Sequence, residues 1–139
     1  MEKLLKRHAE KLRFGVVGIA NTALDFAILF LLVGMGLDRI PANFVSTSIA
    51  FVFSFFVNKS FTFNSIGGNV KRQFALFIVI TVFSLWVIQP IVIVTMSWLL
   101  AGLGLDSSVE LFIAKLVATI ASLIWNYIFY SRLVFKKQA

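Results

Sequence analysis

Polar and ionisable side chains recur inside long apolar stretches of this sequence, at spacings that place them on one face of a helix. Asn21 and Asp25 are four residues apart in the first stretch, and Ser122 and Asn126 are four apart in the last. Ionisable groups at membrane depth are costly, so each needs a partner or a water-filled cavity. Amide and hydroxyl groups there either bind a polar molecule or hold neighbouring helices together, and both interpretations remain open.

Asp25 and Lys115 are the ionisable residues that lie deepest in these stretches. At about 1.5 Å per residue they lie roughly 18 Å and roughly 25 Å from the basic ends of their helices. A lysine side chain spans much of that difference, so one hypothesis is that the two pair or share a polar cavity. The alternative is that Lys115 extends outward to the membrane surface, while Asp25 is held by Asn21 or is protonated.

Motifs for catalysis, metal binding or cofactor binding are missing from the sequence. There is no cysteine, no glycine-rich phosphate loop and no nucleophile with an adjacent base, and the single histidine, His8, lies in a charged stretch. We therefore expect neither an enzyme nor a cofactor or metal site. The net charge of +7 favours a basic rim facing anionic lipid headgroups or phosphate, so no nucleic-acid partner is expected.

The elements that position these residues follow from composition. Of the 139 residues, 60% are hydrophobic and 14% are charged, whereas soluble domains have about half and about a quarter. The sequence predicts an all-α integral membrane protein with one domain, residues 1–139, and four transmembrane helices at about 14–34, 42–57, 74–100 and 111–130. Residues 2–13 predict a basic amphipathic helix in the headgroup layer, and Gln89-Pro90 predicts a kink or tilt in the third span.

The basic residues predict the orientation. Eleven of the thirteen lysines and arginines lie before the first span, between the second and third spans, or after the fourth. Positive residues are enriched in cytoplasmic connections, so both termini and the middle connection are expected to be cytoplasmic. Arg13, Lys59 and Arg132 would then lie at one membrane face.

The second and fourth spans end alike. AFVFSFFVNKSFTF (50–63) and ASLIWNYIFYSRLVF (121–135) both place a serine four residues before an asparagine, and a basic residue shortly before a β-branched residue and phenylalanine. The two signatures do not superpose in one gapless register. Either the chain contains two helical hairpins of the same orientation, or both ends share features common at membrane interfaces.

Residues 12–136 resemble the GtrA-like family of small four-span membrane proteins. The resemblance rests on RFGVVGIANTALDF, SFFVNKSFTF and NYIFYSRLVF. Lys59 directly follows Asn58, whereas some members place the basic residue one position later, so it is open whether Lys59 points into the bundle or toward lipid. The resemblance implies a role in cell-envelope polysaccharide synthesis, in the cytoplasmic membrane of a prokaryote. Family members are thought to move a polyprenyl-phosphate-linked sugar across that membrane, and a separate membrane glycosyltransferase usually makes that lipid.

The resemblance also implies a substrate path. Arginine and lysine bind phosphate, which suits Arg13, Lys59 and Arg132. The polar residues along the path would be Asn21, Ser54, Asn58, Ser122 and Asn126. Asp25 is a further candidate deep in the first span, and Lys115 and Arg39 lie toward the outer side. Four helices enclose little space, so we expect contact with membrane lipids and a homo-oligomer, with a dimer favoured. Two rival functions are a non-transporting partner of the glycosyltransferase and a small proton-coupled exporter that uses Asp25.

Overall fold

The computed structural model describes residues 1–136, except for the side chains at positions 2, 3, 39 and 40. All regular elements in that range are helical. The α-helices are α1 (Glu2–Gly34), α2 (Arg39–Val57), α3 (Val70–Phe83), α4 (Gln89–Leu100) and α5 (Ser107–Phe129). Three five-residue π turns interrupt or end them: the first is Asn58–Thr62, the second is Ser84–Ile88 and the third is Tyr130–Val134. A 3₁₀ turn, Ala101–Leu103, follows α4.

Four segments of the described chain are long and apolar enough to cross a membrane: Leu4–Gly34, Pro41–Thr62, Val70–Leu103 and Ser107–Val134. Each predicted span lies inside one of them. The chain is therefore an all-α, multi-pass membrane protein. Its cytoplasmic orientation stays a prediction, and three of the basic residues on which that prediction depends, namely Lys3, Arg39 and Lys137, have side chains outside the described part.

The N-terminal basic segment is continuous with the first span. Helix α1 runs unbroken through 33 residues, so residues 2–13 form its first turns, and their place in the headgroup layer stays a prediction. At about 1.5 Å per residue such a helix is roughly 50 Å long, well beyond a hydrocarbon core of about 30 Å. The basic turns of α1 can therefore lie outside the hydrocarbon while the helix stays whole.

The described chain divides into two compact units, residues 1–68 and 69–136. In the first unit, α1 packs along α2 and the first π turn. In the second, α4 and the second π turn pack on α5, and α3 packs on the third π turn. Each unit thus has two spans, as expected for two helical hairpins.

A glycine turn closes the first hairpin. The N–H of Gly36 bonds to the carbonyl of Val33 and that of Leu37 to the carbonyl of Leu32, each at 3.0 Å. Gly36 has a φ of 93°, which favours a residue without a Cβ. This pattern satisfies the last carbonyls of α1 and sends the chain directly into α2.

The first and third π turns occupy equivalent positions in the two hairpins. The N–H of Phe63 bonds to the carbonyl of Asn58 at 2.9 Å, and that of Phe135 bonds to the carbonyl of Tyr130 at 2.8 Å. From position 58 to position 130 the shift is 72 residues, and the same shift aligns further pairs in which both members are buried. These pairs are Ala42 with Ala114, Ser46 with Ala118, Ala50 with Ser122, Thr62 with Val134, and Phe63 with Phe135.

This register corrects the correspondence suggested by the sequence. Matching Asn58 with Asn126 on sequence alone gives a shift four residues shorter, which is about one helical turn. In the structure, Asn126 is equivalent to Ser54, and Asn58 is equivalent to Tyr130. The two asparagines therefore lie at different levels of their hairpins.

The second π turn lies directly before Pro90. The N–H of Gln89 bonds five residues back, to the carbonyl of Ser84. Proline lacks an N–H and its ring clashes with the preceding turn, and a widened turn is one way for a helix to accommodate it. The feature expected at Gln89-Pro90 thus takes the form of a π turn within a continuous helical segment.

Candidate functional site

Asn58 begins the first π turn and is 2% exposed. Its Nδ2 donates to the carbonyl of Ser54 at 2.8 Å and to the Oγ of Ser54 at 3.2 Å. Since only a nitrogen can donate to a carbonyl, the orientation of the amide follows from chemistry. Its Oδ1 is buried and accepts no hydrogen bond from the described residues. The hydroxyl of Thr62, in the same π turn, is also buried without a partner.

Arg13 and Lys59 lie at the same end of the first hairpin as this π turn. The Nη1 of Arg13 donates to the carbonyl of Phe61 at 3.4 Å, and its guanidinium lies 5.4 Å from the centre of the Phe61 ring. The Nζ of Lys59 donates to the carbonyl of Gly67 at 2.8 Å. Lys59 thus points to the loop that follows the π turn. Arg13 thus bonds a carbonyl of the π turn that ends the helix, where carbonyl dipoles leave a partial negative charge, whereas Lys59 bonds a carbonyl of the loop.

Asp25 lies half-buried on α1, with Thr47 of α2 as a neighbour. The Oγ1 of Thr47 donates to the Oδ1 of Asp25 across 3.4 Å, longer than the roughly 2.7 Å of a typical hydroxyl hydrogen bond. Asn21, one turn earlier, has a buried Oδ1 with no partner in the described chain. The proposed pairing of Asp25 with Lys115 joins residues of different units and stays a prediction.

The second hairpin has its own set of buried polar atoms. Ser122 is 5% exposed, and its Oγ has no hydrogen-bond partner among the described residues. The same holds for the Oδ1 of Asn126 and the Nε1 of Trp125 on α5, and for the Oγ of Ser84, which is fully buried in the second π turn. Of these four residues, the sequence indicated Ser122 and Asn126 as candidate site residues, together with Lys115 and Arg132 in the same unit.

Tyr130 begins the third π turn, but its polar atom is satisfied. Its hydroxyl is hydrogen-bonded to the Oγ1 of Thr81 on α3. Its ring stacks on Phe77 with centroids 4.5 Å apart and meets Phe135 edge to face at 6.2 Å. Tyr130 therefore closes the end of the second hairpin with packed aromatic rings.

Lys115 and Arg132, the candidate cations of the second unit, are exposed. Lys115 borders a groove of about 480 Å³ along α5, together with Ser108, Leu111, Phe112, Leu116 and Thr119. Arg132 lies in the third π turn, and by the register it is equivalent to Ser60, whereas Lys59 is equivalent to Ser131. The basic residues that end the two hairpins thus differ by one position, which the sequence signatures did not reveal.

Comparison with known proteins identifies the type of chain. The family described as GtrA/DPMS, transmembrane domain, matches residues 13–136. The chain belongs to this family. Among curated proteins it is similar to the uncharacterized membrane protein YngA of Bacillus subtilis (strain 168), with 28% identity over 116 residues, covering 84% of this chain and 72% of the relative.

Membership in the GtrA/DPMS family makes the chain a membrane protein of polysaccharide or glycolipid metabolism. GtrA-like proteins are generally non-catalytic. Within the described residues, no three His, Cys, Asp or Glu side chains come together in a way that could hold a metal ion. What this GtrA/DPMS domain offers is therefore two sets of buried hydrogen-bonding atoms and a group of cations at helix ends.

Sequence patterns missed several polar residues of the GtrA/DPMS domain. Thr62 resembles an ordinary β-branched residue at a span end, and Trp125 resembles a membrane-interface aromatic. Ser84 is isolated in an apolar segment, and small hydroxyl residues are common between membrane helices. The sequence offered one signal for Trp125, which is that it directly precedes Asn126, the first residue of the motif NYIFYSRLVF.

Proposed function

We propose that this protein moves a polyprenyl-phosphate-linked sugar across the cytoplasmic membrane for modification of a cell-surface polysaccharide. In this proposal a separate membrane glycosyltransferase makes the lipid-linked sugar, and this chain only binds and passes it. The polyprenyl tail stays in the lipid while the head group crosses. Family membership supports a role in polysaccharide or glycolipid metabolism, and the buried polar atoms support passage of the sugar head group.

The observation that carries the proposal is a set of buried amide oxygens that accept no hydrogen bond from the part of the chain that the structure describes. They belong to Asn21, Asn58 and Asn126. Most buried polar atoms in proteins have partners, and leaving one without a partner costs about 1–3 kcal/mol. An amide oxygen accepts only, so the partner that it lacks must be a donor. Sugar hydroxyls are donors, so a sugar head group can supply the hydrogen bond that each of these oxygens lacks.

The cations suit the phosphate of the same lipid. Arg13 uses one nitrogen on the Phe61 carbonyl, and a guanidinium has five N–H donors, so it can still bind phosphate. Lys59 places a second cation at the same end of the first hairpin, where its Nζ donates to the carbonyl of Gly67. Arg132 is exposed at the end of the second hairpin. Phosphate binding at these helix ends would hold the lipid while its sugar enters the polar region.

A second candidate is a non-transporting partner of the glycosyltransferase. The bonds from Arg13 to the π turn and from Lys59 to the following loop favour it, because cations that bond carbonyls of their own hairpin have a structural role without any substrate. In that case the basic surface would hold the transferase or lipid headgroups. The buried amide oxygens would then have no use, which is why we prefer transport.

Reconstitution into liposomes tests the proposal. Vesicles would contain a labelled polyprenyl-phosphate glucose, and the label in the outer leaflet would be destroyed chemically to measure how fast lipid crosses. We expect the purified protein to accelerate crossing, and Asn58→Ala to reduce that acceleration. Asn43→Ala is the matched control, because Asn43 is an exposed asparagine on the same helix.

The outcomes separate the two candidates. Transport would be refuted if vesicles with folded protein moved the lipid no faster than protein-free vesicles for every neutral sugar in a panel. Binding of the glycosyltransferase by that same folded protein would then support the partner role. Equal loss of transport in Asn58→Ala and Asn43→Ala would show that the effect does not come from the buried oxygen.

A further inference from the structure

The second hairpin contains four buried polar atoms that lack partners within the described chain and carry no formal charge. They are the Oγ of Ser84, the Oγ of Ser122, the Nε1 of Trp125 and the Oδ1 of Asn126. Ser84 is 0% exposed and Ser122 is 5% exposed. Membrane helices commonly pair serines across an interface, but these hydroxyls make no such bond. Packing alone therefore does not account for them.

The four residues lie where α5 packs on the second π turn. Ser122, Trp125 and Asn126 are spaced three and four apart on α5, so they share a helix face. Helix α5 packs on the second π turn, which begins at Ser84. The ring of Phe83, the residue before Ser84, stacks on Trp125 with centroids 5.1 Å apart. The backbone at Ser84 therefore lies beside the part of α5 that contains Trp125.

Trp125 can offer a ligand its indole N–H but not the face of its ring. Phe83 lies against the indole at 5.1 Å, and Phe129 lies against it at 4.1 Å. With phenyl rings this close, a ligand ring has little room to stack on the indole. The same contacts hold the indole in one orientation, so its buried Nε1–H is a fixed hydrogen-bond donor.

We infer that Ser84, Ser122, Trp125 and Asn126 form a binding site for an uncharged sugar ring, an inference that rests on the proposed function and names the class of its sugar. The indole N–H donates only, the amide oxygen accepts only, and the two hydroxyls do either. Sugar hydroxyls also do either and so can satisfy all four. A phosphate ester accepts only, so it would leave the oxygen of Asn126 without a donor.

The absence of charge among these four side chains sets the selectivity. A sugar with a carboxylate or an ammonium group would lose its hydration on entry, and these four side chains offer no opposite charge. Neutral hexoses and N-acetylated sugars avoid that cost. The phosphate of the same lipid would remain with the cations at the helix ends.

Stability and binding should respond to mutation in opposite directions. A buried hydroxyl without a partner already carries its desolvation cost, so Ser122→Ala should leave unfolding in detergent unchanged or shift it to a higher temperature. The same change removes one hydrogen bond to the sugar and should weaken binding about fivefold to tenfold. If Ser122 only stabilised helix packing, Ser122→Ala would instead lower the unfolding temperature of the protein.

Fluorescence of Trp125 provides a direct test. Trp86 and Trp98 are 78% and 77% exposed, so Trp86→Phe with Trp98→Phe should leave Trp125 as the single tryptophan without disturbing the interior. The probes are short-chain prenyl phosphates of three kinds. The first kind carries a neutral sugar: glucose, galactose, mannose or N-acetylglucosamine. The second carries a charged sugar, glucuronate or glucosamine, and the third carries no sugar. We expect a saturable change in emission with at least one neutral sugar, and a much weaker one with the charged sugars and with the sugarless lipid. Ser48→Ala, which removes an exposed hydroxyl of the first unit, is the control for Ser122→Ala.

The outcomes are separable from those of the transport test. Equal responses to sugar-bearing and sugarless lipid, or a preference for a charged sugar, would overturn this site while transport in liposomes could stand. No response to any lipid in a protein that transports would likewise overturn the site alone. A sugar-dependent response without transport would refute the proposed function and support the site.

Discussion

Asn58 and Tyr130 have the same backbone role, because the carbonyl oxygen of each accepts the N–H of the phenylalanine five residues later. Their side chains differ in what they leave available. The phenol of Tyr130 is hydrogen-bonded to Thr81, whereas the buried amide oxygen of Asn58 has no donor among the residues that the structure describes. Equivalent positions in the two hairpins thus serve different purposes: one end is closed by packing, and the other retains a free acceptor.

Asn58→Ala is expected to impair function more than folding. The change removes the hydrogen bonds from Nδ2 to Ser54, but it also removes a buried oxygen that has no partner. These contributions oppose one another, so we expect the free energy of unfolding to change by less than about 1.5 kcal/mol. Polysaccharide modification in cells should fall while membrane insertion stays normal. Full activity at normal expression would mean that Asn58 serves only the helix end.

Arg13→Gln is expected to reduce binding of the phosphate-bearing lipid. Arg13 is exposed, and one hydrogen bond and one cation–π contact of such a residue contribute about 1 kcal/mol or less. Stability should therefore change little, while lipid binding and its dependence on salt concentration should weaken. Lys71→Gln, at an exposed cation in the first turn of α3, is the comparison. If both substitutions reduce binding equally, general positive charge and not the position of Arg13 is responsible.

Asp25→Asn tests whether a carboxylate is needed inside the first hairpin. An amide oxygen can still accept the hydroxyl of Thr47, so α1 and α2 should keep their packing. We expect transport to decrease with unchanged unfolding in detergent, and Thr47→Val to have a smaller effect because the present bond is long. Wild-type transport by a normally folded Asp25→Asn protein would rule out a functional role for the charge.

Thr81 and Tyr130 should be energetically coupled. Tyr130→Phe and Thr81→Val each remove the hydrogen bond between the two hydroxyls, while the hydroxyl of Thr81 in Tyr130→Phe still donates to the carbonyl of Phe77. Each change should lower the free energy of unfolding by about 1 kcal/mol. The double variant should lose less than the two single losses combined, because both remove the same hydrogen bond. Denaturation with SDS in mixed micelles measures all four proteins. Additive losses would show that the hydroxyl groups stabilise the hairpin independently.

The spans could be predicted from sequence because lipid-facing helices leave a strong compositional record. Apolar runs of about 20 residues bounded by polar residues at Asn58 and Asp106 have few alternative structures. Asn21, Asn58, Ser122 and Asn126 could also be selected, since polar side chains are conspicuous in such runs. That their oxygen atoms lack donors could not be known, because it depends on every neighbour in three dimensions.

The π turns escaped prediction for a different reason. A π turn changes which carbonyl accepts each N–H, while the residues that form it, such as Asn58–Thr62, remain compatible with an α-helix. The serine–asparagine spacing therefore suggested a correspondence of Asn58 with Asn126 that the backbone does not support. Phe63 and Phe135 were the better guide, because the residue that caps each π turn is buried in both hairpins.

The second π turn changes the rotation of the helix part-way along the third span. One extra residue in a helix with 3.6 residues per turn rotates everything beyond it by about 100°, so α4 presents a different side to its surroundings than a continuation of α3 would. A polar stripe that begins on α3 would therefore not stay on one face through α4. A chain that lacked one residue between Ser84 and Ile88 would keep the direction of α3 while turning α4 by that angle. Length variation at this point would thus change which residues of α4 pack on α5.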